Sequence, residues 1–339
     1  MKAVGYRKSL PITEAMSLID LELPDPRPTG RDLLVQVKAV SVNPVDTKVR
    51  LRAEPPAGEA KILGWDASGV VLETGPEVTL FKPGDEVWYA GSIARPGTNS
   101  ELHLVDERIV GHKPKSLGHA QAAAMPLTGI TAWELLFDRL GVLPGKGFSD
   151  RSLLIIGAAG GVGSILVQLA RRLTSLTVIG TASRAETTEW VRSLGAHHVL
   201  DHGKPLDKEL HNAGFSGVTD IASLTQTDKH YPEIVEALLP QGKLALIDDP
   251  DFAAIDISLL KRKSISLHWE LMFTRSLFET PDMLAQHKLL SEMAELVDAG
   301  VLRTTFSEHL GTINASNLKR AHALIESGKS KGKIVLEGF

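Results

Sequence analysis

A chain of 339 residues is long enough for about two domains. With 43% hydrophobic and 23% charged residues and a net charge of −4, it has the balance of a globular protein and no basic face for nucleic acid. It contains no cysteine, which excludes disulfides, thiol nucleophiles and cysteine-ligated zinc together. No apolar run reaches the roughly 20 residues that cross a membrane. The basic N-terminus is followed by no apolar core, so no signal peptide is read there and a cytoplasmic protein is expected.

Residues 1–124 read as strand-rich. Residues 33–42 alternate and are rich in valine, a strand signal. Asn43-Pro44-Val45-Asp46 follows as a turn or helix start, and 52–61 is an aperiodic Pro/Gly loop. Further strands are expected at 64–73, after the Pro83-Gly84 turn, and at 99–105. Many short strands with turns between them suggest a small barrel. The pattern then changes. Residues 120–136 are helical on either side of Pro126-Leu127-Thr128-Gly129. From 152 onward, strands at 152–156, 176–181, 198–200, 218–222, 243–247 and 264–269 alternate with helices at 161–173, 185–194 and 231–239, with another placed at 252–260. That is an α/β pattern, a doubly wound parallel sheet. A long helix is expected at 281–298 and a last strand at 331–339. The last strand needs a partner, and the N-terminal domain supplies one. The chain therefore divides into 1–124 completed by 271–339, and an inserted nucleotide domain at 125–270, with the site in the cleft between them.

The inserted domain opens on LLIIGAAGGVGSILVQLA, residues 153–170. Gly157 suits a tight turn, Gly160 and Gly161 let backbone approach a ligand, and Gly163 lets helix and strand pack closely. The helix at 161–173, with Val162 in its first turn, then offers free N–H groups to a phosphate. This predicts dinucleotide binding.

Asn43-Pro44-x-Asp46, Gly64-x-Asp66-x-x-Gly69-Val70-Val71, Pro83-Gly84-Asp85-x-Val87, Leu127-Thr128-Gly129-x-Thr131-Ala132 and Gly160-Gly161-Val162-Gly163 resemble, in order and context, the medium-chain dehydrogenase/reductases. The resemblance covers essentially the whole chain. It is closest to the zinc-free quinone oxidoreductase and enoyl reductase branch and to bacterial proteins labelled zinc-type alcohol dehydrogenase-like. It implies a GroES-like β domain, a Rossmann domain, and a homodimer in which strand 264–269 pairs with its copy. The zinc enzymes of this superfamily use a Cys and a His from the first two motifs. Here Asn43 and Trp65 match those positions, and an indole donates a hydrogen bond without ligating zinc. No metal site is expected.

No acid stands where an NAD-specific site holds the ribose hydroxyls; Ser183 and Arg184 stand there instead. A hydroxyl and a guanidinium suit a 2′-phosphate, so NADP(H) is the expected cofactor. An arginine at a helix start opposes the helix dipole, which weakens the reading of Arg184 as a mere surface residue. His202 resembles the position that flanks this phosphate.

Without metal, hydride passes to an electron-poor small molecule, a quinone or α,β-unsaturated carbonyl. By resemblance, Asn43 and Thr128 sit at the nicotinamide and acceptor as catalytic residues; a turn starter and a helix cap are their plainer readings. Ile247 offers backbone to the nicotinamide. Asp248 and Asp249 are read equally as site acids or solvated turn formers. Lys331 and Lys333 are read as surface lysines or phosphate contacts, and His268-Trp269-Glu270 as pocket or dimer edge. Reduction of simple aldehydes or ketones, and non-catalytic NADPH binding, are the rival functions.

Overall fold

The computed structural model describes residues 1–147 and 149–339. The chain divides into two compact units, Met1–Ile130 with Phe273–Phe339, and Thr131–Met272. The boundaries fall at 130/131 and 272/273, a few residues beyond the 124/125 and 270/271 expected from composition.

The first unit is built on strand Asp32–Val42, whose side chains are mostly buried. This strand pairs antiparallel with Ala67–Thr74, with Leu102–Asp106 and with the last strand, Lys333–Glu337. Register shifts at Leu34/Val35 and Val37/Ala39 bend it, as bulges do, so that one strand serves three partners. The C-terminal strand is thus held where expected, with Ile334 opposite Val42. A smaller three-stranded sheet, Ile19–Glu22, Lys2–Tyr6 and Lys61–Ile62, accompanies it.

The second unit carries a six-stranded parallel sheet. Its order is His198–Leu200, Thr177–Thr181, Ser152–Ile156, Val218–Ser223, Leu238–Leu246, Ser266–Trp269. This is the doubly wound dinucleotide-binding order. Ser152–Ile156 lies centrally and is buried throughout, which is why it reads as an unbroken apolar run. Helices Gly161–Leu173 and Ala185–Leu194 fall where their periodicity places them.

Three departures have local causes. The segment 252–260 is not a helix but two 3-10 turns, Phe252–Ala254 and Ile257–Lys263. Asp251 and Asp256 each accept the N–H two residues ahead, which starts a short turn, and the exposed Phe252 and Ile257 give no buried apolar face to propagate it. Pro126 does not interrupt a helix but begins one, Pro126–Trp133, at a position where no N–H is needed. Helices Leu206–Asn212 and Ala315–Glu326 have no counterpart in the sequence reading.

Helix Pro126–Trp133 runs on as a π-helical turn, Glu134–Arg139. Glu134 and Glu270, which follows strand Ser266–Trp269, are both buried. The Arg139 Nε lies 2.8 Å from Glu270 Oε2. Burial and the neighbouring Glu134 push the Glu270 carboxyl far above the usual carboxylate range. The folded pair therefore keeps a proton that the unfolded chain releases near the ordinary glutamate value, and stability falls as pH rises above that value. Replacing Glu270 by Gln should flatten this loss: between pH 6 and 9 the variant's Tm should fall less than the wild type's. Parallel Tm profiles would show that the pair holds no extra proton.

Candidate functional site

The glycine turn links strand Ser152–Ile156 to helix Gly161–Leu173. Gly157 has φ +83°, a left-handed conformation that favours glycine, and its N–H donates to Thr181 Oγ1 at 3.2 Å. A Cβ on Gly163 would lie 2.5 Å from the Gly157 oxygen and 2.6 Å from Ala158 Cα, so the helix can sit against the turn only without one. A Cβ on Gly160 would meet only the Gly157 oxygen, at 3.4 Å. Gly160, Gly161 and Val162 are only partly buried. No side chain caps this helix start, leaving its first N–H groups and positive dipole end for an anion.

Ser183 and Arg184 follow strand Thr177–Thr181 and are exposed. Arg184 stands immediately before helix Ala185–Leu194, and Glu186 in the first helical turn pairs with it, Nε to Oε1 at 3.6 Å. That acid offsets the dipole argument against a plain surface arginine. His202 lies beyond strand His198–Leu200, its ring 6.4 Å from that of His230. Burial, then the His230 charge, lowers its pKa, which favours the neutral ring. Ile247 is half-buried beyond strand Leu238–Leu246. Asp248 is neither a solvated turn former nor a free acid. It accepts the Thr227 N–H at 3.0 Å and the Thr227 hydroxyl at 2.6 Å, anchoring helix Thr227–Ala237 to the strand end.

In the other unit, Asn43 and Thr128 are both buried. Asn43 precedes helix Pro44–Arg52, but its side chain does not cap that helix. The Asn43 amide donates to Asp66 Oδ2 at 3.0 Å and, at longer range, to the Ser41 and Trp65 carbonyls. Its oxygen accepts from the Lys333 amine. Lys333 is therefore no surface lysine: it is 3% exposed, lies 3.0 Å from Asp66 Oδ2 and donates to Val42 O at 3.1 Å. The other Asp66 oxygen accepts the Leu127 N–H at 2.8 Å, in the first turn of helix Pro126–Trp133. Asp46 accepts the backbone N–H of Asn43 at 2.6 Å and of Gly64 at 3.0 Å. Burial pushes the Asp46 carboxyl up to about 7 against those two bonds and the Lys333 charge. Burial likewise raises Asp66, which Lys333 and its hydrogen-bond donors pull back down. Thr128 donates its hydroxyl to Met125 O at 3.2 Å, and its oxygen keeps accepting capacity. Trp65 donates its indole N–H to Ser92 O at 3.2 Å.

The structure thus gathers Asn43, Asp46, Asp66 and Lys333 into one buried cluster. Asp66 was not singled out as functional from sequence, and Lys333 was read only as a surface lysine or a phosphate contact. The signal for Lys333 was present: it opens an unbroken apolar run, Ile334-Val335-Leu336, of the kind buried on both faces.

Residues 29–130 match the alcohol dehydrogenase GroES-like domain family, and residues 194–336 the zinc-binding dehydrogenase family. Over 338 residues the chain is 38% identical to a zinc-type alcohol dehydrogenase-like protein of Staphylococcus epidermidis, covering 99% of both chains. The chain belongs to the medium-chain dehydrogenase/reductase superfamily. It is also 31% identical to the human mitochondrial NAD(P)H oxidoreductase RTN4IP1, over 98% of this chain and 86% of that protein. Among solved structures, a Rhizobium etli CFN 42 protein assigned as a zinc-dependent alcohol dehydrogenase superposes with a TM-score of 0.96 at 60% identity, covering 100% of this chain and 98% of that one. The Escherichia coli quinone oxidoreductase complexed with NADPH shares the fold, with a TM-score of 0.84 at 23% identity over 99% of this chain and 100% of that one. The α/β architecture, with a GroES-like domain and a Rossmann-type parallel sheet, is that of the superfamily, and the protein is an oxidoreductase of this type.

The zinc in these family names finds no matching set of donors among the described residues of this chain. The chain has no thiolate, the Trp65 nitrogen donates to a carbonyl, and the Asn43 oxygen already holds an ammonium. Among the described residues no three His, Asp or Glu side chains gather as a metal site. This donor set does not fit catalytic zinc. The dinucleotide turn, by contrast, fits a pyrophosphate. Gly163→Ala should destabilise the protein by about 1–3 kcal/mol, because the added methyl drives helix from strand. Gly160→Ala should stay within about 0.5 kcal/mol of wild type. Urea denaturation of the two variants measures the difference, and equal losses would remove the packing role of Gly163.

Proposed function

We propose that the protein is an NADPH-dependent reductase that delivers hydride to a quinone or an α,β-unsaturated carbonyl without zinc. The observation that carries this reading is the pairing of an open dinucleotide turn with a motif cluster whose ligand positions are closed to metal. When bound, the nicotinamide supplies the hydride. The chain's part is binding and orientation. Gly157 and Gly163 shape the turn, Gly160 closes it by donating its N–H to the Gly157 oxygen at 3.1 Å while leaving room for the ligand, and the N–H groups at Gly161 and Val162 receive the pyrophosphate. Ser183 and Arg184 take the 2′-phosphate, with the His202 ring flanking it. Ile247 supplies backbone to the nicotinamide.

Asn43 and Thr128 act by position. Each already spends its hydrogen-bond donors inside the protein, so neither is the acid of the reaction. Thr128, whose oxygen keeps accepting capacity, would help to hold the nicotinamide, and Asn43 would keep the polar cluster rigid. The acceptor delocalises its developing negative charge onto its own oxygen and takes its proton from solvent.

The protein acts as a homodimer in this reading. Strand Ser266–Trp269 is the outermost of its sheet, and Trp269, Leu271 and Phe252 in the same unit are 44%, 53% and 67% exposed. A bare apolar sheet edge of this kind invites pairing with a second copy.

The decisive assay follows NADPH oxidation, after treatment with chelator, against quinones, enones and simple aldehydes. Turnover of quinones or enones should survive chelation. Activity that returns only with added zinc, or is confined to simple aldehydes, would sink the proposal. Arg184→Ala should raise KM for NADPH by about 10- to 100-fold, the loss of one charge-assisted contact, and leave KM for NADH unchanged.

A further inference from the structure

The cluster around Asn43, which stands at a zinc-ligand position of the superfamily's zinc enzymes, holds a cation of the chain's own. We propose that the buried Lys333 ammonium is the resident cation of this cluster and stands in place of a divalent metal, neutralising Asp66 and occupying the Asn43 oxygen. This deepens the zinc-free part of the proposed function, and its test does not depend on which acceptor is reduced.

An ammonium has three N–H donors, and three oxygens surround this one: Val42 O at 3.1 Å, Asp66 Oδ2 at 3.0 Å and Asn43 Oδ1. Its donors are used up, so it leaves no open position for a substrate oxygen. Each neighbour that might otherwise turn toward a metal is engaged. Asp66 Oδ1 takes the Leu127 N–H, and both Asp46 oxygens take backbone N–H groups. The Asn43 amide is oriented by the same contacts, oxygen to Lys333 and nitrogen to Asp66, so a flip would set like against like. Zinc needs four N, O or S ligands at about 2.0–2.3 Å, and here it would first have to expel an ammonium that cannot diffuse away. Strand Lys333–Glu337, paired in register with Asp32–Val42, holds that amine in place. The countercharge is thus covalent and present in every copy, independent of metal supply.

The test uses the full-length protein as wild type, Lys333→Met, Asp66→Asn, and the double variant. Met keeps the length of the lysine stem and removes the amine. Each is stripped with chelator, incubated with zinc, desalted, assayed for metal by mass spectrometry and melted. Wild type should retain far less than one zinc per chain. Lys333→Met should melt roughly 10 °C lower, because a buried carboxylate loses its partner. The double variant, with both charges gone, should recover at least half of that loss. Wild-type melting of Lys333→Met would overturn the proposal. So would a double variant no more stable than Lys333→Met, or stoichiometric zinc in wild type that Asp66→Asn abolishes. If Lys333→Met does not fold, a soluble double variant still supports the proposal and an insoluble one overturns it. The two readings fail separately: zinc-dependent turnover strikes the proposed function, whereas a lost stability cycle strikes Lys333.

Discussion

The buried Asp66–Lys333 ion pair is the constraint on which the first unit's polar architecture depends. A carboxylate away from water persists only where charge and hydrogen bonds meet it. Three segments distant in sequence supply them: the Asn43 amide before one helix, the Leu127 N–H at the start of another, and the Lys333 ammonium from the last strand. The start of helix Pro126–Trp133 contributes its dipole as well as its N–H. Proline at its first position has no donor to spare, so Leu127 is the first residue able to reach Asp66. The C-terminal strand therefore adds more than a sheet partner. It delivers the counterion without which Asp66, and the Asn43 orientation that depends on it, would not hold.

Much of the fold was legible because its signals are local. The apolar run 152–156, the glycines at 157, 160 and 163, and the amphipathic helix behind them specify strand, turn and helix within about twenty residues, as periodicity and glycine sterics require. The six parallel strands follow by alternation. The segment 252–260 misled because apolar content was taken for an apolar face: Asp251 and Asp256 restart the backbone, and Phe252 and Ile257 remain exposed. Pro126 misled in the opposite way, since a proline within helical sequence marks a start as readily as a break.

The site was legible residue by residue but not as a network. Asn43 and Thr128 stood out from their motifs, yet what the Asn43 oxygen meets is decided by a residue far along the chain. Asn43 and Lys333 are separated by 290 positions. No spacing rule links them, and only the antiparallel pairing of Ile334 with Val42 brings the amine to the amide. Asp248 is a milder case. A pair of acids after a strand reads as a turn, and its actual task, anchoring Thr227 at the start of a helix, needs the parallel neighbour to be known.

The absence of cysteine shows that the usual ligands are missing without showing what fills their place. Filling matters to chemistry. A catalytic metal keeps a coordination position open and polarises whatever oxygen enters it. An ammonium with every N–H engaged keeps the charge balance and offers no such position. On the proposed reading, the acceptor must carry its own developing charge, which a conjugated carbonyl or a quinone does through delocalisation and a simple ketone does not. On the same reading, the side chain proposed to balance the cluster without metal also narrows the substrates for which hydride transfer is feasible there.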